Sequence, residues 1–180
     1  MRVPDAERFQ QAWSLVHDRS PGRHNFHAQY NIGVMYDHGM GVAQDDADAV
    51  RWYRLAAEQG LAGAQHNLAL MLEDGRGAAQ DYAEAARWCR LDAEQGHADA
   101  QCNLAIMLES GRGATQDCTE AVRWYRLATD QGNANAQCNL GLMFANGTGV
   151  TQDHTEAVRW HRMAAEQGHA NAQSNFGVWC

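Results

Sequence analysis

Thiol and imidazole side chains, the groups that bind zinc or act as nucleophiles, recur at a fixed interval in this 180-residue chain. His66, Cys102 and Cys138 follow one another at 36 residues. Zinc ligands must converge within about 2.0–2.3 Å of one ion, and a nucleophile must lie within hydrogen-bond reach of its base. Side chains that point in parallel from equivalent positions do not converge in this way. We therefore predict no metal site, no cofactor and no catalytic residue, and a protein that is not an enzyme.

The same interval extends over most of the chain. Tryptophans follow one another at this spacing, at Trp52, Trp88, Trp124 and Trp160. A fixed period of about this length is typical of a helical solenoid. The repeats span residues 27–62, 63–98, 99–134 and 135–170, and residues 171–180 are the first half of a fifth. Residues 1–26 do not follow the period and are predicted to form a divergent capping helix, with Asp5 as its N-cap and an end near Ser20-Pro21-Gly22.

Each repeat carries the signals of two helices. Helix A has an apolar stripe at Ala28, Ile32 and Met35 and ends at Gly39, a residue type that favours helix C-termini. Helix B begins at Asp45, and its N-capping aspartate and C-terminal glycine recur in every repeat. The sequence therefore predicts an all-α protein built from stacked antiparallel helix pairs.

The cysteines argue against a disulfide framework and against export. The chain has five, at irregular spacing, and a disulfide requires Cα atoms within about 7 Å. Helices in neighbouring repeats lie at least about 8–10 Å apart, so Cys102 and Cys138 are expected to be free thiols. The chain begins without the apolar run of a signal peptide and has no stretch of roughly 20 apolar residues. These features predict a cytoplasmic protein.

One pattern recurs in four near-perfect copies: Ala28-x-x-x-Ile32-Gly33-x-x-Tyr36-x-x-Gly39-x-Gly41-Val42-x-x-Asp45-x-x-x-Ala49-x-x-Trp52-x-x-x-Ala56-Ala57-x-x-Gly60. This pattern, which covers residues 27–180, closely resembles the Sel-1-like repeat family, a relative of the tetratricopeptide repeats. The resemblance implies a right-handed α/α superhelix whose A helices line a concave face, and a role as an adaptor that gathers other proteins. Some secreted, cysteine-rich members are linked to β-lactam binding. Their regular cysteine pairing is missing from this sequence, so neither export nor that activity is transferred.

Comparison of the repeats with one another separates constant from variable positions. Constant positions, Trp52 and its equivalents among them, are assigned to the packing of one repeat on the next. The variable positions of helix A form one stripe beside its core stripe. In the tetratricopeptide relatives the corresponding positions face the concave groove. The candidate partner-binding residues are Tyr30, Val34, Asp37, His38, His66, Leu70, Glu73, Asp74, Asp99, Cys102, Ile106, Glu109, Cys138 and Leu142.

The chemistry of this stripe indicates the class of partner. The stripe contains several carboxylates and no arginine, and each full repeat contributes an apolar residue to it. It therefore suits a peptide or helix with basic and apolar residues. The net charge of −8 argues against a nucleic-acid-binding protein, which needs a basic surface. We therefore predict a protein–protein interaction module.

Three alternatives remain open at this stage. In the first, the stripe is an ordinary solvated face. In the second, the chain is a self-assembling or structural array that docks through Phe176 and Trp179 of the half-repeat. The third is a thiol-dependent or β-lactam-processing enzyme that uses Cys102 or Cys138. Four further histidines are expected on the solvated surface, at His97, His154, His161 and His169.

Overall fold

The structure, a computed structural model, describes residues 4–17 and 25–172. The helices along these residues are α1 Asp5–His17, α2 Phe26–His38, α3 Asp46–Ala57, α4 Ala62–Asp74, α5 Tyr82–Glu94, α6 Ala98–Ser110, α7 Cys118–Asp130, α8 Ala134–Asn146 and α9 His154–Glu166. No β-strand occurs in the described residues, and the prediction of an all-α repeat protein is confirmed. The predicted end of the capping helix and most of the half-repeat, with Phe176, Trp179 and Cys180, lie outside the described residues.

The helix boundaries arise from the predicted local signals. The A helices are α2, α4, α6 and α8, and each ends at a glycine in the left-handed conformation. At Gly39, φ is 66° and the backbone N–H donates to the Met35 carbonyl. The B helices are α3, α5, α7 and α9. The Asp45 carboxylate accepts a bond of 3.0 Å from the Asp48 backbone N–H, and the aspartates before α5, α7 and α9 accept the equivalent bond.

A buried tyrosine joins helix B to two A helices. Tyr53 of α3 is fully buried and packs so closely on Gly33 of α2 that a Cβ there would lie 2.7 Å from the ring. Its hydroxyl donates to Asp37 of α2 at 3.2 Å, and the Asn67 side chain of α4 lies close to that hydroxyl. The ring and its hydroxyl therefore hold an A helix on its own B helix, and the next A helix lies beside them.

The same position recurs in the later repeats with different chemistry. Tyr125 of α7 donates to Glu109 of α6 at 2.7 Å. In α9 the position is held by His161, which is fully buried against Gly141. Neither ring nitrogen of His161 has a hydrogen-bond partner within the described residues, and burial lowers the pKa of this imidazole. The prediction that His161 lies on the solvated surface is wrong, because its position on helix B faces helix A.

Glycines in the A–B loops allow backbone to touch backbone. A Cβ on Gly77 would overlap the carbonyl of Asp46, the first residue of the preceding B helix, and a Cβ on Gly149 would overlap the carbonyl of Cys118. Both glycines have φ near 69°, a conformation that other residues rarely adopt. The loop of one repeat is thus held against the first turn of the previous B helix.

Helix α1 packs on the first repeat through aromatic contacts. Phe9 meets the ring of Tyr36 edge-on at 5.7 Å, and Trp13 meets Trp52 in the same way at 5.7 Å. Trp13 remains 37% exposed. The contacts within the chain define two compact units, Met1–Leu91 and Asp92–Cys180, which are described separately below.

The loop glycines supply a test of this packing. We expect Gly77→Ala to lower the free energy of unfolding by at least about 3 kcal/mol, because overlap with the Asp46 backbone adds to the strain of a positive φ. Gly60→Ala is the matched control: φ is 88° and no atom lies within 4 Å of the added Cβ, so we expect a loss of only about 1–2 kcal/mol. Urea denaturation followed by circular dichroism measures both, and equal losses would contradict the proposed close approach.

Candidate interaction site

In the unit Met1–Leu91, the stripe of variable A-helix positions includes apolar side chains that reach solvent and others that pack within the protein. Leu70 of α4 is 39% exposed, and Val34 of α2 is half-buried. Tyr30 is half-buried, and its ring lies 5.8 Å from that of Tyr53 and touches Gly63 of α4. Tyr30 therefore contributes to packing between successive A helices. Leu70 is the large apolar side chain that the predicted stripe presents to solvent in this unit.

The stripe itself contains no arginine, but the charge of Asp37 is paired with an arginine from outside the stripe. Arg76, from the A–B loop of the next repeat, donates to the Asp37 carboxylate at 2.5 Å and to that of Asp46 at 2.9 Å. The Tyr53 hydroxyl occupies the other Asp37 oxygen, and the side chain of Asp37 is only 12% exposed. This carboxylate is therefore a structural acceptor that joins two repeats.

The histidines and acids at the ends of α2 and α4 lie nearer to solvent. His38 is exposed, with its Nδ1 3.1 Å from the Val34 carbonyl. Asp74 is exposed, whereas His66 and Glu73 are half-buried. Among these four residues, His38 and Asp74 are accessible to a partner.

In the unit Asp92–Cys180, the stripe lines a groove of about 410 Å³ between α6 and α8. Four predicted residues meet there: Cys102 and Ile106 of α6, and Cys138 and Leu142 of α8. Leu142 is 40% exposed and Ile106 is half-buried, whereas both cysteines are buried. The groove therefore has a thiol floor with two accessible apolar side chains. We call it the α6–α8 groove.

Asparagines complete this groove, and they were not among the predicted site residues. Asn103, Asn135, Asn139 and Asn171 line it together with His169. The Asn135 carboxamide oxygen lies 2.9 Å from Nε2 of His169. Asn103 and Asn139 belong to a column that is constant in every repeat, so it was assigned to packing. Helical spacing could have supplied this signal, because Asn103 and Asn139 each lie three residues before a stripe residue, Ile106 or Leu142, and therefore on the same side of helix A.

The acids in this unit take part in bonds within the protein. Glu109 accepts the hydroxyl of Tyr125 at 2.7 Å. Asp99 is exposed and accepts a bond of 2.8 Å from the Asn133 side chain. Among the described residues, the lining of the α6–α8 groove contains no carboxylate, so its character is apolar and amide-rich rather than acidic.

The thiols of the groove are poorly suited to nucleophilic chemistry. Burial raises the pKa of Cys102 to about 12, with a smaller contribution from the Asp99 charge, and burial also raises the pKa of Cys138. Each thiol is therefore protonated near neutral pH, whereas the thiolate is the nucleophile and the metal ligand. Cys102, Cys118 and Cys138 are free thiols. Over the described ranges, no cluster of three or more histidine, cysteine or acidic residues is arranged to hold a metal ion.

The helices of the described ranges are also unsuited to crossing a bilayer, because none is both long and apolar enough.

Comparison with known families and structures agrees with this architecture. A model of the Sel1 repeat matches residues 26–61, 62–97, 98–133 and 134–169, one residue earlier than the boundaries drawn from the sequence. No curated protein matches the chain.

Solved structures with the same fold include two of substantial identity. A protective antigen present in uropathogenic Escherichia coli strains, which displays an SLR fold, is 35% identical with a TM-score of 0.87 over 98% of this chain. The chain spans only 36% of that antigen. A Sel1 repeat protein from Oxalobacter formigenes is 37% identical with a TM-score of 0.83, and the match covers 94% of this chain and 70% of that one.

A more distant structure shows the fold alone. It is an immunity protein from Pseudomonas aeruginosa, 17% identical with a TM-score of 0.52, and the match covers 96% of this chain and 69% of that one.

The reactivity of the thiols tests the geometry of the groove. In the native protein at pH 8, we expect iodoacetamide to modify Cys102 at least 10-fold more slowly than the half-buried Cys118, because Cys102 is 3% exposed and protonated. In urea the two rates should become similar. Mass spectrometry of peptides from timed samples measures both rates. Equal rates in the native protein would mean that Cys102 is an accessible, reactive thiol.

Proposed function

The chain belongs to the Sel1 repeat family, and from this premise we propose that it is a protein–protein interaction module. Its A helices hold a peptide or helix of a partner protein in the α6–α8 groove. The stripe of Val34 and Leu70 supplies a second apolar contact surface in the unit Met1–Leu91. The repeats supply rigidity, and the variable side chains of the A helices supply specificity.

The observation that carries this proposal is the coincidence of variability with an open groove. Ile106 and Leu142 occupy a column that differs between repeats, and both line the α6–α8 groove. Variable positions that served only as solvated surface would have no reason to remain apolar in every repeat, as Val34, Leu70, Ile106 and Leu142 do. Accessible apolar side chains beside polar amides are typical of a peptide-binding surface.

The side chains of the groove indicate what the partner contributes. Ile106 and Leu142 favour apolar residues, and the carboxamides of Asn103 and Asn135 can both donate to and accept from a peptide backbone. The net charge of −8 favours a partner with basic residues outside the apolar contact. Because Asp37, Asp99 and Glu109 are engaged within the protein, the basic residues of the partner act mainly through long-range attraction.

A catalytic role in the groove receives less support. The candidate nucleophiles Cys102 and Cys138 are buried and have raised pKa values. His169, the histidine of the groove, is engaged with Asn135 and with the backbone N–H of Ala172. We therefore propose binding without turnover.

Two exposed leucines of similar accessibility make the proposal testable. We expect Leu142→Arg to weaken binding of selected peptides at least 10-fold, because it places a charge in the apolar part of the groove. Leu127→Arg is the matched control, since Leu127 is 45% exposed on the B helix α7 and lies outside the groove. Peptides selected on the wild-type chain from a random phage-displayed library, and then measured by fluorescence anisotropy, serve as ligands.

Both variants replace side chains that are at least 40% exposed, so circular dichroism and thermal unfolding should match the wild type within a few degrees. Equal binding by wild type, Leu142→Arg and Leu127→Arg would place the contact elsewhere and overturn the assignment to this groove. Selection of acidic peptides only would contradict the charge argument.

A further inference from the structure

Helix α1 is placed as a B helix that has no A helix of its own in the described part of the chain. A Cβ on Gly41 would overlap the backbone of Asp5, the first residue of α1. Gly77 has the same relation to Asp46 at the start of α3, and Gly149 to Cys118 at the start of α7. The loop after α2 therefore rests on α1 as later loops rest on true B helices. The segment between α1 and α2 is longer than the segment between α3 and α4. The equivalence of α1 to a B helix is therefore not visible in the spacing of the sequence.

This register assigns each residue of α1 an equivalent in α3. Asp5 corresponds to Asp46, so Arg8 corresponds to Ala49, Ala12 to Tyr53 and Leu15 to Ala56. Ala49, Tyr53 and Ala56 are fully buried in the first repeat, where Tyr53 contacts Gly33 and Asp37 of α2. By contrast, Arg8 and Leu15 are exposed, and the small Ala12 between them is 7% exposed. The face of α1 that would bind an A helix is thus open at Arg8 and Leu15, with Ala12 at its base.

Helix α2 presents the matching half of the same surface. In the next repeat, α4 and its loop contact the preceding A helix through Gly63 against Tyr30 and Arg76 against Asp37, and Asn67 lies close to the Tyr53 hydroxyl. The equivalents of Gly63, Asn67 and Arg76 one repeat earlier are His27, Asn31 and Met40. These three line one groove of about 480 Å³ together with Arg8, Ala12 and Leu15 of α1. We call it the α1–α2 groove.

We propose that the α1–α2 groove binds an amphipathic helix of a partner protein in the place that an A helix takes in the other repeats. This site lies in the unit Met1–Leu91 and is distinct from the α6–α8 groove. The open surface has the shape that the protein itself uses to bind its own A helices. The sequence of those helices therefore indicates what the partner carries.

The A helices define a binding pattern. All four carry apolar residues at i, i+4 and i+7, and three of them carry a carboxylate at i+9, as in Ala64, Leu68, Met71 and Glu73 of α4. Helices α2 and α6 follow the same pattern. In the first repeat, the carboxylate at i+9 is Asp37, which is neutralised by Arg76. Met40 replaces that arginine in the α1–α2 groove, and Arg8 supplies a cation instead.

One position of the partner should differ from the protein's own A helices. The residue at i+5 is Gly33, Ala69, Ala105 or Gly141, and a small residue is needed where it faces Tyr53 or His161. In α1 the facing residue is Ala12, which leaves space that a larger side chain can fill. The partner helix is therefore expected to carry leucine or another large apolar residue at i+5.

A synthetic peptide tests this site directly. The probe is residues 62–74 of the chain with Ala69→Leu at position i+5, blocked at both ends and labelled with a fluorescent dye. We expect saturable binding to the full chain by fluorescence anisotropy. Leu15→Glu changes a side chain in the groove that is 42% exposed, and it should weaken binding of the peptide at least 10-fold. Arg8→Glu should weaken binding of the peptide to the same degree. The peptide that also carries Glu73→Arg should recover binding to the Arg8→Glu chain.

The controls separate this site from the one proposed above. Leu142→Arg should leave binding of this peptide unchanged, and Leu15→Glu should leave binding of peptides selected for the α6–α8 groove unchanged. Absence of saturable binding to the wild type, equal binding to Leu15→Glu, or failure of the charge exchange to restore binding would overturn the proposal. Light scattering that shows self-association abolished by Leu15→Glu would identify the occupant as a second copy of the chain, and would overturn the assignment to a different partner.

Discussion

The contact between a loop and the helix before it is the constraint on which the arrangement of repeats depends. At Gly41, Gly77 and Gly149 the backbone of an A–B loop lies against the first residue of a preceding B-type helix, at a distance that excludes any side chain. This contact fixes the rise from one repeat to the next within each unit. It also determines which residues of an A helix reach the Tyr53 position. The same contact at Gly41 identifies α1 as a B-type helix although its sequence does not follow the period.

In these repeats, a position whose residue type varies can be buried, and a position whose residue type is constant can line an open surface. The position of Tyr53 is among the most buried of the chain, yet it holds Tyr, Cys, Tyr and His in the four repeats. Small residues face this position, since Gly33 packs on Tyr53 and Gly141 packs on His161. A variable column can thus be a packing column. Conversely, the constant Asn103 and Asn139 line an open groove.

The local structure of the chain could be predicted from its sequence because caps, glycines and apolar spacing act within one helix. The starts at Asp45 and the ends at Gly39 follow from such signals, and the structure confirms them. Four of the candidate residues, Cys102, Ile106, Cys138 and Leu142, meet in one groove, and the binding of a partner there stays a prediction. The neutralisation of Asp37 was missed because Arg76 lies in the loop of another repeat. The burial of His161 was missed because the variation of its helix-B position between repeats was interpreted as the mark of a solvated surface.

The central claim is that the A helices carry two separable sets of residues, one that packs the repeats and one that contacts the partner. A substitution scan of residues 98–146, read out both for folded abundance and for binding of a selected peptide, tests it most directly. The account predicts that changes at Ile106, Leu142 and Asn135 reduce binding while abundance stays near the wild-type level, whereas changes at Leu104 or Tyr125 reduce both together. Binding losses that follow abundance at every position of the scan would contradict the claim.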